Sequence, residues 1–444
     1  MKGWIKKNIG ELCDSGGGKV KTGPFGAQLH QSDYSYQGTP VVMPTDIKNG
    51  TIAQERIARV SDSHVSRLAM HQLSKGDIVY GRRGDIGRQA LVKEAESGWL
   101  CGTGCLRITL GESEVIPEYL HLYLKMPEII GWIQNQAIGA TMPNLNTSIL
   151  RRVPIHFPSS KATQRNIVSL SFAYDDLIEN IKRRINILES MGEEIYREWF
   201  VRFRFPGHKA VEFKKGVPKD WVVGRASLFF EHVKGRSYKS EEISDTDDES
   251  MPFVTLKSFN RGGGYRSDGL KLYSGKFSSS QVVHEGDVVM AVTDMTQNRE
   301  VVGRVARVPE MGRRGAVISL DVIKLVPKSV SATYLYSYIK YSGFSHFIKS
   351  FANGANVLHL KPDLVTQQVI VVPTQGLREK FEAIVDPIHE QVGLLSKEID
   401  NLEATRDSLL PRLISGKLSV EELDIQFPPS MLIDADSSAE QGIY

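Results

Sequence analysis

Arg82, Arg83 and Arg88 flank a Gly81-x-x-Gly84 turn that closes an apolar run, so several guanidinium groups are placed to project from one loop. The matching run Gly286–Val292 is followed by Thr293, Gln297, Asn298 and Arg299, which bring hydroxyl, amide and guanidinium groups to the same relative place. Lys48 and Asn49 follow a proline-bearing strand, and Lys257 and Asn260 follow a similar one. These are hydrogen-bonding groups for a polar or anionic partner. Taken singly, each also reads as a solvated surface residue. Groups for covalent or metal chemistry are sparse. Cys101 and Cys105 lie close in sequence, but the third cysteine, Cys13, is distant. A structural zinc site uses four N/S ligands at tight spacing, so no metal centre is expected. The histidines are scattered and form no nucleophile or metal set. Gly16–Gly18 and Gly262–Gly264 lack the lysine and hydroxyl of a phosphate loop and read as turns. No residue is assigned a catalytic role.

The elements that must position these groups are written twice. Thr39-Pro40-Val41-Val42 reappears as Met251-Pro252-Phe253-Val254, 212 positions later. Lys75–Val79 matches Glu285–Val289 at an offset of 210, and Pro117–Leu120 matches Ala332–Leu335 at 215. Gly139-Ala140 with Gly354-Ala355, and Pro158 with Pro373, share the last offset. Ordered matches at nearly constant spacing mark two copies of one unit of roughly 210 residues, far longer than a solenoid repeat. Each copy opens with short β-branched runs bounded by turn residues. A helical stretch follows, Glu118–Gln136 and again Thr333–Phe351, then a short strand at Val153–Phe157 or Val369–Val372. Each copy ends in a long helix. Steps of three and four from Ile167 reach Leu170, Tyr174, Leu177, Ile181, Arg184, Leu188, Met191 and Ile195. In the second copy they run Phe381, Val385, Ile388, Val392, Leu395, Ile399, Leu402, Arg406, Leu409, Leu413. A 3.5-residue repeat sustained this long predicts a coiled-coil seam. Pro387 is expected to break or kink the second helix early and Pro411 to end or bend it. Pairing the helices antiparallel, each ~50 Å long at ~33 residues, makes a rod with a domain at each end. The alternative is that each helix packs on its own domain.

Composition sets wider bounds. The chain has 444 residues, 41% hydrophobic and 24% charged, with 55 Lys+Arg against 52 Asp+Glu for a net +3. That length allows two to four domains, and the balanced charge neither demands nor forbids a nucleic-acid partner. Acidic residues collect at Glu241–Glu249 and after Glu421, and arginines at Arg313-Arg314. No apolar stretch nears the ~18 residues of a membrane helix, and no signal peptide is visible in Met1–Gly10. The few cysteines fit a reducing compartment, so the expected location is the cytoplasm, away from membranes.

Several segments resemble one family, the specificity subunits of type I restriction–modification systems. Ile185–Lys209, INILESMGEEIYREWFVRFRFPGHK, is similar to its central spacer helix with the Arg-Phe-Pro-Gly-His run after it, and Leu409–Leu418, LLPRLISGKL, to the end of its second spacer helix. Gly139–Leu150, GATMPNLNTSIL, with Val153–Pro158 and Gln164, is similar to the close of its recognition domains, and Gly18–Leu29 to their start. The second copy departs: Gly354–Leu364 lacks the Pro-x-Leu-Asn, and Glu379 stands where the first has Gln164. The resemblance implies an α+β chain of two homologous target-recognition domains, separated by two long helices that pair as an antiparallel coiled coil. The expected segments are a first recognition domain at 1–160, a central spacer helix at 161–205, a second recognition domain at 206–375, a C-terminal spacer helix at 376–420, and a disordered tail at 421–444.

The same resemblance implies a subunit with no catalysis of its own. Each domain would read one half of a bipartite, asymmetric site on double-stranded DNA. Two methyltransferase subunits would dock on the helices and motor–nuclease restriction subunits would join them. No cofactor would be bound by this chain; S-adenosylmethionine, ATP and Mg would belong to the partner subunits. The candidate DNA-binding residues are then Lys48, Asn49, Arg82, Arg83, Arg88, Lys257, Asn260, Thr293, Gln297, Asn298 and Arg299, since Arg or Lys reads guanine and Asn or Gln reads adenine. The candidate docking residues are Arg183, Arg184, Glu193, Arg197, Glu398 and Arg406. Trp199, Phe200, Phe203 and Phe205 either dock a partner or pack the helix end against the second domain. Two rival readings are a fused DNA methyltransferase and a coiled-coil scaffold without a DNA role. Against the first, the only Pro-Pro pair, Pro428-Pro429, lacks the methyltransferase motif's Asn or Asp before it and aromatic residue after it.

Overall fold

The computed structural model describes residues 3–26, 28–136, 144–244, 250–421, 423 and 425–431. The chain divides into two compact units: Met1–Asn180 with Ile399–Tyr444, and Ile181–Glu398. In the first, the runs rich in β-branched residues form a four-stranded antiparallel sheet in the order Gly17–Thr22, Cys105–Gly111, Ile78–Gly81, Gln89–Leu91. Ile78 and Tyr80 face one core, with Leu106, Ile108 and the helix Pro117–Leu124. Val79 between them faces another, with Val42, Ile47 and Ala90. A strand buried on both faces reads as a continuous apolar run rather than an alternating one. Beside this sheet stand Ala58–Val60, Thr39–Val42 and Leu100–Cys101, the last two parallel. A separate pair joins Trp4–Asn8 to Pro154–Pro158.

The second unit repeats the four-stranded sheet and the closing strand pair, while the sheet beside them has five strands where the first unit has three. Its four-stranded sheet runs Phe230–Lys234, Val322–Pro327, Val288–Ala291, Val305–Arg307. Val288 and Met290 face one core and Val289 and Ala291 the other. Phe253 pairs in parallel with Val317 as Val41 does with Leu100, and Val222–Arg225 pairs with Val369–Val372 as Trp4–Asn8 does with Pro154–Pro158. The repeated Gly-Asp of the sequence has a structural task in both units. Asp77, buried, accepts from Thr109 Oγ1 at 2.6 Å and pairs with Arg107 on the next strand. Asp287 likewise holds Lys324 at 2.7 Å.

Gln164 and its apparent replacement also resolve. The buried Gln164 donates to the carbonyls of Glu114 and Pro158, both at 2.9 Å. In the second unit Glu379 is exposed, and Arg378, one residue earlier, donates to the corresponding carbonyls of Ser329 and Pro373. The task is kept by a residue displaced by one position. The Gly139-Ala140 match and the segment up to Pro143 lie outside the described residues, as do Asp245–Glu249 of the acidic insert.

Two long helices, Lys161–Tyr196 and Gln375–Ile414, each begin in one unit and end in the other. In the first unit Ile167 and Val168 share a core with Leu410, Leu413 and Ile414, and Arg406 bonds Asp175 at 2.5 Å. In the second, Tyr196 meets Phe381 edge to face at 5.9 Å. The start of each helix thus meets the end of the other, and the pair is antiparallel. The second helix runs unbroken through Pro387, against the expectation of a break or kink, and ends at Ile414, just past Pro411; a helix this long and packed tolerates the loss of a donor. Every position of its expected seam is buried or half-buried. The first seam holds only in part: Ile167 and Ile181 are buried as expected, but Leu177, Arg184 and Met191 are exposed, while Val168, Ser171 and Ile178 beside the seam are buried. A buried serine is invisible to an apolar pattern. Trp199, Phe200, Phe203 and Phe205 pack with Trp221 in the second unit. Part of the expected tail also departs from disorder, since Ile425 and Met431 pack against the first core and Ser430 N–H donates to Asp176.

Candidate nucleic-acid interface

In each unit, the loop after the central strand of the four-stranded sheet is tied to a segment far along the chain. Arg82 C=O accepts from Leu145 N–H at 2.9 Å, and Arg83 bridges Asn144. Val292 C=O accepts from Leu360 N–H at 2.8 Å, and Thr293 pairs with His359. The loops close on equivalent glycines at positive φ, Gly87 and Gly303. A side chain at either would press on an isoleucine of the following helical region, Ile130 or Ile348, at 3.0 Å. Only glycine fits a left-handed turn beneath a packed side chain. Between these fixed points the first unit has three residues, Gly84–Ile86, and the second nine, Asp294–Val302. This insertion is where the sequence offset steps up from 210.

The first loop separates its three arginines. Arg82 is half-buried, and its Nε donates to Asn144 Oδ1 and to the Leu145 carbonyl, both at 3.1 Å, so its guanidinium fixes the loop. Arg88 pairs with Asp85 at 2.9 Å. Arg83 is exposed and, among the described residues, carries no ion pair. Lys48 and Asn49 are exposed on a tight hairpin between Ile47–Lys48 and Thr51–Ile52. Positive φ at both Asn49 and Gly50 makes its turn type I′, so the asparagine also serves the backbone. Ile47 and Ile52 seat this hairpin in the core that holds Val79 and Ala90, beside the arginine loop.

The second loop is built on a residue not singled out from the sequence. Asp294, 2% exposed, accepts from Val301 N–H at 2.7 Å, Val302 N–H at 3.1 Å, and both Thr296 N–H and Oγ1–H at 2.8 Å. Burial pushes its carboxyl up, but those four donors outweigh it and hold it below the ordinary carboxylate range. Gln297 Nε2 donates to the Ala355 carbonyl at 2.8 Å, and Arg299 Nη2 to that of Ala352 at 3.3 Å. Gln297 and Asn298 are exposed, whereas Thr293 is buried and withdrawn from any ligand. The Lys257–Asn260 region converges here. Gly262 N–H donates to Glu300 C=O, Arg261 pairs with the Glu300 carboxylate at 3.1 Å, and Asn260 Nδ2 donates to Tyr265 C=O. Lys257 itself is exposed. Asp294 has no signal in the sequence, because a buried carboxylate serving backbone donors has no pattern there, and Arg261 and Glu300 are brought together only by folding.

On the helices, Arg183, Arg184 and Glu398 are exposed, and Glu193 pairs with Arg197 at 2.6 Å one turn away. Arg406 is spent on Asp175 and Asp407 and is not free for docking. The cysteines are buried, and burial pushes Cys101 up to about 12 and Cys13 to about 11, so they pack as small apolar groups rather than thiolates.

Two copies of one α+β domain, each presenting a pinned polar loop of different chemistry, together with an antiparallel helix pair, define a tandem-domain protein. Residues 1–190 match the family described as the type I restriction modification DNA specificity domain. The chain is 27% identical over 95% of its length to the type I restriction enzyme MjaIX specificity subunit of Methanocaldococcus jannaschii, covering 95% of that protein. It is 23% identical to the HindI specificity subunit of Haemophilus influenzae, over 86% of this chain and 95% of that one. The fold matches that of a type I restriction–modification S subunit from M. genitalium with a TM-score of 0.52, at 18% identity, over 92% of this chain and 96% of that one. Residues 1–190 thus carry the type I specificity domain, and over nearly its whole length the chain is similar to type I restriction–modification specificity subunits.

Proposed function

We propose that each unit of this specificity subunit reads one half of a bipartite, asymmetric site on double-stranded DNA. The helix pair sets the unread spacer and offers the surface on which two methyltransferase subunits dock, with motor–nuclease subunits joining them. Chemistry resides on those partners, which supply S-adenosylmethionine, ATP and Mg; the implied target is an adenine in each half-site. The observation that carries this reading is the duplication itself: the same four-stranded sheet order and closing strand pair in both units, with loops that differ in length and in donor set. A duplicated scaffold with unlike loops suits two half-sites of unlike sequence. Arg83 and Lys48 are the contacts of the first unit, with guanine edges and phosphates as natural acceptors. Gln297, Asn298 and Lys257 are those of the second. Sequencing modified adenines in a host that carries the chain with its partner subunits tests this. The expected result is one two-part motif with a fixed gap; modification spread over unrelated sequences would refute it.

A further inference from the structure

The two reading loops differ by an insertion, and the inserted residues are held unusually firmly for a surface loop. Asp294 anchors one end and gathers both sides of the loop through four hydrogen bonds. Gln297 and Arg299 fasten its middle to the carbonyls of Ala355 and Ala352. A loop ordered beforehand pays less entropy when it binds. On this frame Met295 is 75% exposed. Single exposed apolar side chains are ordinary; Met295 differs in standing on a pinned loop that also presents an amide. Asn298 is exposed, and among the described residues its side chain has no hydrogen-bond partner. In the first unit the corresponding stretch is Gly84-Asp85-Ile86, where Gly84 has no side chain, Asp85 holds Arg88, and Ile86 is buried. Nothing there duplicates Met295 or Asn298.

Resting on the reading of this chain as a DNA-sequence reader, we infer that the Asp294–Val302 loop is the specificity determinant of the second half-site, with Asn298 reading an adenine edge and Met295 contacting a thymine methyl group. An asparagine amide matches the N6 donor and N7 acceptor of adenine in the major groove, and an apolar side chain favours the C5-methyl of thymine over cytosine. The loop therefore directs the second unit to A·T pairs, whereas the free guanidinium of Arg83 suits the first to a guanine.

The test is Asn298→Ala and Met295→Ala, each produced with the partner subunits in a host whose modified adenines are then sequenced. Each variant is expected to lose about tenfold of discrimination at one A·T position of the second half-site. The first half-site and the gap should stay the same, and the melting temperature should not move, since both side chains are exposed. Weaker modification at every site with an unchanged motif would overturn the inference, because it would make these residues sequence-blind contacts. Unchanged motifs in both variants would also overturn it, leaving the broader reading intact if exchange of Pro252–Phe351 for a relative's segment still altered the second half. Should that exchange alter nothing, the broader reading fails as well.

Discussion

Arg82 and Arg83 are adjacent and have opposite tasks. The first uses its guanidinium on Asn144 and the Leu145 carbonyl to fix the loop, and the second is left to the solvent. The same division recurs in the second unit, where the buried Asp294 holds the loop that exposes Gln297 and Asn298. His121 is another buried polar group. It is 5% exposed, its Nδ1 lies 2.9 Å from Gln89 Oε1, and its carbonyl accepts from the Gln89 amide. Burial, aided by Lys125 and Lys93, pushes its pKa down to about 3. An unfolded histidine takes up a proton near pH 6.5. Above that pH both states are neutral and the group is silent. As pH falls from 6.5 toward 3 only the unfolded chain is protonated, so stability drops by about 1.4 kcal/mol per pH unit from this group. Melting curves at pH 7 and pH 5 should show the first unit weakening, and His121→Gln should flatten that difference. Arg83 and Asn298, picked out in the sequence by chemistry and place, are exposed on the loops where the pattern put them. Asp294 and Arg378 could not be picked out this way, because a partner brought together by folding leaves no local spacing to find.

Among the elements, the helix ends carry the most consequential packing. Leu410, Leu413, Ile414 and Val420 are buried in the core of the first unit, more than two hundred residues along the chain from most of it. Leu413→Ala should therefore destabilise that unit by about 2–5 kcal/mol. Hydrogen exchange would show the loss in residues 1–180 and leave the Val288–Ala291 sheet of the second unit protected. The antiparallel pairing and the repeat were readable from heptads and offsets, because both rest on apolar periodicity. The true inward face of the first helix was not, since Ser171 is buried there while Leu177 and Met191 are exposed. Likewise Pro387 reads as a break or kink, yet the packed helix runs on through it, and it ends at Ile414, just past the Pro411 read as its end or bend.

At the scale of the whole molecule, the proposed function divides two labours between a duplicated domain and a helix pair, reading bases and setting distance. The sequence disclosed this division through its repeat, whereas the insertion that makes the two readers unlike surfaced only as a drift in offset from 210 to 215. If the helices set the distance, their length and the DNA gap must change together; one turn of B-DNA is about 34 Å, and four added helical residues lengthen a helix by about 6 Å. The most direct measurement is to insert four residues after Ser190, an exposed position in the last third of the first helix, and to sequence modified adenines with the partner subunits present. The account predicts a changed gap between two half-sites that keep their sequences. An unaltered gap, or a half-site whose bases changed, would contradict it.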